Sequence, residues 1–478
     1  MALKVFNTLS RQKEEFQPIR AARAGERPKV GMYVCGITPY DECHLGHARV
    51  YVVFDVIRRY LKYRGYDVTY VQNFTDIDDK IIQKAIDSGA GPDQLKDRSH
   101  EIAEKNIAAY FELMDKLGIE RADNYPRVTE HMAEIMRVVK DLVDLGYGYE
   151  TEGGNVYFAV DRYPLYGALS KRDRKVLEEG APRVAAEKGK KSPLDFALWK
   201  AAKPGEPGWN SPWGMGRPGW HIECSVMSTK YLGESFDIHG GGLDLIFPHH
   251  ENEIAQSQCW TQKPFVKYWL HNGFVTINQE KMSKSLGNAF TLRELLSKYP
   301  PALLRFFILG THYRSPISFG DELLEAAKEG LERLINLDVF LQGGSFDTSN
   351  HAIFKVDPFR EKFVEAMDDD FNTAAALAVV FDFAHAVYKF MNKHGRGQNT
   401  FEAASVFLSE CNGILGFLPM AQGIADEDAI SELVRQRAAA RAAKDYPLAD
   451  RLAKQLGERG IIFKDLPDGK TEWRRGLK

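Results

Sequence analysis

Residues 29–72 constrain the fold more than any other stretch of the chain. Lys29-Val-Gly-Met-Tyr-Val reads as a short buried strand entering a turn. Beyond the turn, Val50, Val53, Phe54, Ile57, Tyr60 and Leu61 recur at helical spacing, and Gly65 closes that helix. Asp67–Gln72 is then a β-rich run. Strand, helix and strand in this order predict a parallel unit with a right-handed crossover. Such a unit opens a doubly wound, Rossmann-like α/β sheet, whose first turn receives a nucleotide.

At 478 residues the chain is too long for one core. Residues 1–120 are expected to form the first half of the sheet domain and 121–215 an insertion. The second half then covers 216–300, a stem and helical bundle 301–424, and a small C-terminal domain 425–478. Helices are predicted at roughly 93–117 and 128–145, and a hairpin around Gly153-Gly154. Residues 181–220, rich in Pro, Gly and Trp, read as an ordered loop. A strand at Ser235–His239, a helix from about Pro248 and a strand at 268–275 restore the α/β pattern. From 301 onward apolar stripes are helical, with linkers expected at 343–345, 394–398 and 425–428.

Composition narrows the class. The chain is 44% hydrophobic and 27% charged, which suits a soluble globular protein and excludes a disordered or fibrous one. Its net charge of −3 announces no global basic field, yet residues 431–478 hold twelve Lys/Arg against seven Asp/Glu. That basic end, with Arg435, Arg437, Arg441, Lys444 and Arg451, is a candidate phosphate-contacting surface or a solvated helix face. Five scattered cysteines without a Cys-x-x-Cys pair are no disulfide framework. The N-terminus lacks a secretory h-region, and apolar runs such as Ala374–Phe381 are too short to span a bilayer. A cytoplasmic location with reduced or metal-bound thiols, and no membrane partner, is the expectation.

Two motifs carry phosphate chemistry. His44-Leu45-Gly46-His47 lies between the first strand and its helix. Gly46 allows close backbone approach, both imidazoles can donate, and the helix N-terminus favours an anion. Lys281-Met-Ser-Lys284-Ser, ahead of Leu286-Gly-Asn, offers mobile charge and hydroxyls to a pentavalent α-phosphate and a departing pyrophosphate. A third group consists of metal-type donors: Cys35 at the first strand's end, Cys224, and a helix on which His249 and Glu253 are four apart. Two thiolates, an imidazole and a carboxylate make a reasonable zinc site, and His250 with Glu253 would serve almost as well. Asp244, after the glycines at 240–242, is a ribose candidate by its place at a strand end. Asp76, Asp78 and Asp79 are candidates for ribose or magnesium, or form a solvated turn.

HLGH and KMSKS resemble the two nucleotide-binding motifs of class I aminoacyl-tRNA synthetases, the first written HIGH in its type form. Gly31-Met-Tyr-Val-Cys-Gly-Ile-Thr-Pro-Tyr-Asp, Asn73-Phe-Thr-Asp-Ile-Asp-Asp-Lys, Pro218-Gly-Trp-His-Ile-Glu-Cys-Ser, Asp237-Ile-His-Gly-Gly-Gly and Phe247-Pro-His-His-Glu-Asn-Glu resemble the cysteinyl-tRNA synthetase family. The resemblance continues through Asp369-Asp-Phe-Asn-Thr and Ala443-Lys-Asp-Tyr-Pro-Leu-Ala-Asp, and so covers essentially the whole chain. It implies zinc held by Cys35, Cys224, His249 and Glu253. It places Thr75, Trp220 and His239 around the amino acid and Lys284 on ATP. The implied reaction joins L-cysteine to tRNA(Cys) through cysteinyl-adenylate, with ATP-Mg as co-substrate and the enzyme acting as a monomer. His44 and His47 would hold the phosphates, Lys281 and Lys284 the transition state, and the basic end the anticodon.

Zinc would also explain selectivity. It binds thiolate far better than a neutral hydroxyl, so serine leaves the ion under-coordinated and no editing domain is needed. Four protein ligands usually close a zinc site, so binding requires five-coordination or a yielding Glu253. Two other functions share parts of the pattern: a tRNA-independent ligase joining cysteine to an amino sugar, and a non-catalytic RNA-binding protein with a structural zinc. The C-terminal region weighs against the first, and intact HLGH and KMSKS against the second.

Overall fold

A computed structural model describes residues 2–22, 25–173, 189–277, 280–281, 290–342, 347–419, 425–458, 461–465 and 471–475. The chain begins with an antiparallel hairpin, β1 (Lys4–Asn7) and β2 (Gln12–Glu15). Then come β3 (Lys29–Ile37), α1 (Leu45–Tyr63) and β4 (Asp67–Phe74), in the predicted order. β3 runs past its expected end through a register shift between Val34 and Ile37. A Cβ at Gly36 would sit 1.5 Å from the Asn73 carbonyl oxygen, so this close approach of β3 to β4 requires glycine. Helices α2 (Asp79–Asp87), α3 (Leu95–Lys116) and α4 (Met132–Asp144) follow.

The insertion differs from expectation. β5 (Gly148–Glu150) and β6 (Val156–Phe158) form the predicted hairpin. The stretch read as loop contributes three further strands, β7 (Phe196–Ala201), β8 (Trp209–Ser211) and β9 (Gly214–Pro218). Together they make an antiparallel sheet in the order β5-β6-β7-β9-β8. Burial of Phe196, Leu198 and Trp199 drives the pairing, while the Gly and Pro residues serve the turns.

The second half of the main sheet comprises α5 (Trp220–Leu232), β10 (Phe236–Gly242), α6 (Glu251–Thr261) and β11 (Val266–Asn272). All four strands of the sheet β11-β10-β3-β4 are parallel. The chain winds outward from β3 to β4 and from β10 to β11, so β3 and β10 meet at the switch point. Alternation along β3 covers both faces: Met32 and Val34 join the core containing α1, whereas Tyr33 and Cys35 join the core containing α4–α6 residues.

The strand expected at 268–275 is broken at Gly273, where a Cβ would meet the Ser315 carbonyl oxygen at 2.4 Å. β12 (Val275–Ile277) instead pairs with β13 (Glu280–Lys281) and, after α7 (Leu292–Lys298) and α8 (Pro301–Leu309), with β14 (Ile317–Phe319). α9 (Asp321–Gln342), α10 (Asp357–Asp368), α11 (Thr373–His394) and α12 (Gln398–Leu415) complete the helical region. Among the described residues α11 alone is long and apolar enough to cross a membrane, contrary to the sequence reading. It is nonetheless amphipathic in place, burying Val380, Phe383 and Val387 in the bundle core. The linker expected at 425–428 is the start of α13 (Ala425–Ala442). α14 (Tyr446–Glu458) and the hairpin β15 (Ile461–Asp465) and β16 (Thr471–Arg475) follow, around a separate core of Ile430, Val434, Leu456 and Ile461.

Candidate metal and nucleotide site

The metal-type donors meet at the C-terminal end of β3. Cys35 near the end of β3, Cys224 on α5, and His249 and Glu253 around the start of α6 place one donor atom each within 4.8 Å of the others. The Cys35 and Cys224 sulfurs are 3.9 Å apart, and Cys35 Sγ lies 3.7 Å from Glu253 Oε1. His249 Nε2 lies 3.0 Å from the same carboxylate oxygen. His249 sits in the wide turn before α6 and not on the regular helix, yet the i, i+4 approach is kept. All four residues are buried.

Their charges are tuned against one another. A hydrogen bond from Cys35 pulls the Cys224 thiol down to about 6, whereas burial pushes Cys35 well up. Burial alone would raise Glu253, but the facing His239 and His249 outweigh it and hold it down at about 2. Burial likewise lowers His249, and the Glu253 carboxylate with Cys224 reverses this, to about 10. A low-lying Glu253 and Cys224 thus face a basic His249 inside the buried cluster. The nitrogen of His249 away from the cluster, Nδ1, is 2.8 Å from His221 Nδ1. That partner fixes the ring, as the outer partners of metal-bound histidines do.

The phosphate motif occupies the adjoining turn. His44 is the N-cap of α1, and its backbone N–H donates to His47 Nδ1 at 3.2 Å. A neutral His47 accepting at Nδ1 carries its proton on Nε2, a donor suited to an anion. The His44 and His47 rings stack at 3.9 Å, and Gly46 adds no side chain to the first turn of α1. Asp244 lies in a tight turn directly after β10, where a Cβ at Gly242 would be 2.5 Å from its Oδ1. Lys281 pairs through its backbone with Thr276. The Lys281 side chain and Lys284 lie outside the described residues.

Trp220 and His239 touch members of the metal-type cluster, and Thr75 contacts Glu223, the residue before Cys224. Thr75 donates from Oγ1 to Glu223 Oε2 at 3.1 Å. The Trp220 ring, 39% exposed, lies 4.4 Å from that of His249. His239 is fully buried and donates to Glu253 Oε2 at 2.8 Å.

The chain matches the model of the class I (C) tRNA synthetase catalytic domain over residues 21–329 and that of the DALR domain over 362–419. Residues 427–474 match the cysteinyl-tRNA ligase anticodon binding domain. A cysteine–tRNA ligase of Carboxydothermus hydrogenoformans is 50% identical over 99% of this chain and 100% of its own length. The chain belongs to the cysteinyl-tRNA synthetase family. A cysteine–tRNA ligase of Thermococcus onnurineus is also 50% identical, over 99% of both chains. In fold this chain is similar to a Mycobacterium tuberculosis methionyl-tRNA synthetase solved with methionyl-adenylate. That likeness has a TM-score of 0.59 at 16% identity, over 88% of this chain and 96% of that one.

Several residues of this cysteinyl-tRNA synthetase family member acquire roles that sequence alone did not assign. Glu223 and His221 lie in the same pentapeptide as Cys224, the one behind Thr75 and the other behind His249. Asn73 Oδ1 accepts from the Gly36 N–H at 2.9 Å and lies 3.8 Å from Cys224 Sγ. Each of the three aspartates after Thr75 has a partner within the protein: Asp76 accepts from Thr129, Asp78 caps α2, and Asp79 pairs with Lys200 and Arg217. Cys43, Cys259 and Cys411 are buried and do not belong to the metal-type donor group. In the basic end, Arg437 is buried over the Phe463 ring at 3.9 Å, which removes it from the surface. Arg435, Arg441, Lys444 and Arg451 remain exposed.

Proposed function

We propose that the chain ligates L-cysteine to tRNA(Cys) in two steps. The cysteine carboxylate first attacks the α-phosphate of ATP-Mg, releasing pyrophosphate. A terminal ribose hydroxyl of the tRNA then attacks the carbonyl of cysteinyl-adenylate. The observation that carries this reading is the convergence of Cys35, Cys224, His249 and Glu253 beside the capped turn of His44 and His47, at the sheet's switch point.

The donor set fits zinc. The edges of a zinc tetrahedron with these ligands are roughly 3.3–3.8 Å, and the measured separations are 3.9, 3.7 and 3.0 Å. When bound, the ion would supply a Lewis acid that ionises a thiol and has little affinity for a serine hydroxyl. The rest belongs to the protein. His44 and His47 orient the phosphates, with Asp244 at the ribose, and Lys281 and Lys284 neutralise charge developing on the departing pyrophosphate. Thr75, Trp220 and His239 fix the amino acid, Thr75 being held in turn by Glu223. No protein nucleophile is required, so rate enhancement comes from alignment and charge neutralisation.

Residues 1–120 and 216–300 act as the two catalytic halves, 121–215 as the insertion and 301–424 as stem and bundle. Residues 425–478 receive the anticodon end through the exposed Arg435, Arg441, Lys444 and Arg451. The enzyme works as a cytoplasmic monomer, with no membrane partner. Cysteine-dependent pyrophosphate exchange followed by charging of tRNA(Cys) tests this. Exchange without charging points to the amino-sugar ligase, and neither activity to an RNA-binding protein.

A further inference from the structure

Glu253 turns its two oxygens to different neighbours. Oε1 faces His249 and Cys35, while Oε2 accepts from His239. Cys35 is likewise shared, because its sulfur lies 3.9 Å from Cys224 but 3.4 Å from His250 Nε2. A second donor group therefore exists: Cys35, His239, His250 and Glu253 also bring one donor atom each within 4.8 Å of the others. All four residues are buried.

Two details separate this group from an ordinary buried hydrogen-bond cluster. His250 Nδ1 is held by His271 Nε2 at 2.7 Å, and His271 Nδ1 by Thr8 Oγ1 at 2.8 Å. With His250 Nδ1–H donating to His271 Nε2 and His271 Nδ1–H donating to Thr8 Oγ1, His250 Nε2 keeps its lone pair and is aimed at Cys35, the arrangement that orients metal-bound imidazoles. His239 is 0% exposed, and its Nδ1 has no hydrogen-bond partner among the described residues. A buried ring nitrogen left without a partner is costly unless something else uses its lone pair.

We propose that Cys35, His239, His250 and Glu253 form a second metal seat. It shares Cys35 and Glu253 with the first and retains a divalent ion of the zinc class when Cys224 is lost as a ligand. With two of four donors in common, one ion moves between the seats and two do not bind together. The second seat offers one sulfur and two imidazoles, the first two sulfurs and one imidazole, so the more thiophilic ions favour the first. The proposal rests on the zinc reading of the first seat.

The test compares one chemical change at two neighbouring sulfurs. Cys35→Ser removes a donor from both seats, and Cys224→Ser from the first alone. Zinc titration of the full chain, with folding checked by circular dichroism, should show Cys224→Ser weakened by about tenfold and Cys35→Ser by about a hundredfold or more. Cobalt bound to Cys224→Ser should show a one-thiolate charge-transfer band. Adding His250→Ala to Cys224→Ser should abolish tight binding, while His250→Ala alone keeps one ion. Equal losses in the two serine variants overturn the second seat and leave the first intact. A wild-type chain that binds no zinc overturns the first seat, and the second with it. Should a serine variant not fold, Cys35→Ala and Cys224→Ala carry the same comparison.

Discussion

At the scale of single residues, the site depends on close approach as much as on donors. A Cβ at Gly240 would lie 2.2–2.3 Å from Phe54 ring atoms, because α1 packs directly over β10. Gly240→Ala is therefore expected to cost about 1–3 kcal/mol by overpacking. Gly320→Ala, with nothing within 4 Å, should stay within about 0.5 kcal/mol of wild type. Urea denaturation of both variants checks the contrast. The metal-type residues were largely legible in the sequence, since Cys35, Cys224, His249 and Glu253 stood out by chemistry and by resemblance. Their supports were not. His221, Glu223, His271 and Thr8 act through contacts between residues remote in the chain, and no local spacing signals such a contact.

At the scale of elements, strong periodicity and glycine turns were legible, whereas α5 and β8 were not. α1 declares itself through Val50, Val53, Phe54, Ile57, Tyr60 and Leu61 at helical spacing, although residues 51–58 are buried throughout. α5 buries the run His221–Ser228, including His, Glu, Cys and two Ser, so no apolar stripe marks it as a helix. β8 is three residues long, too short to show alternation, whereas the equally short β5 and β6 were marked by the Gly153-Gly154 turn between them. Glu251 and Asp79 are among the carboxylates that tie the insertion to the catalytic half. Glu251, fully buried, accepts the backbone N–H groups of Gly167, Leu169 and Ser170. Glu251→Ala leaves those donors unsatisfied and should cost about 3–5 kcal/mol, measured by urea denaturation.

Asp79 is the second tie, and its effect depends on pH. Partial burial raises its carboxyl, but Lys200 and Arg217 outweigh this and hold it below the usual carboxylate range. A depressed folded-state pKa stabilises above the ordinary aspartate value of about 3.9 and is lost as pH falls through the folded value. Asp79→Asn should therefore lower stability at pH 7 by less than about 1 kcal/mol, since the pair is half exposed. Near pH 2 the variant and wild type should converge, which thermal melts at the two pH values check.

At the scale of the molecule, one buried cation joins three regions. Arg305 on α8 pairs with Asp55 on α1 at 2.5 Å and donates to the Leu415 carbonyl at the end of α12. A further bond reaches the Leu117 carbonyl beyond α3. Arg305→Met leaves the buried Asp55 with Arg59 as its remaining cation and removes the donor to the Leu415 and Leu117 carbonyls, and is expected to destabilise by about 3–5 kcal/mol. Urea denaturation measures the loss, and an unchanged midpoint would contradict this role.

The central claim is that a metal-bound thiol subsite beside the phosphate turn selects cysteine. Its most direct measurement is the metal content of the purified chain, paired with cysteine- and serine-dependent pyrophosphate exchange before and after chelation. The account predicts one zinc per chain, exchange with cysteine far above that with serine, and loss of the preference with the ion. A metal-free chain that still prefers cysteine would contradict it.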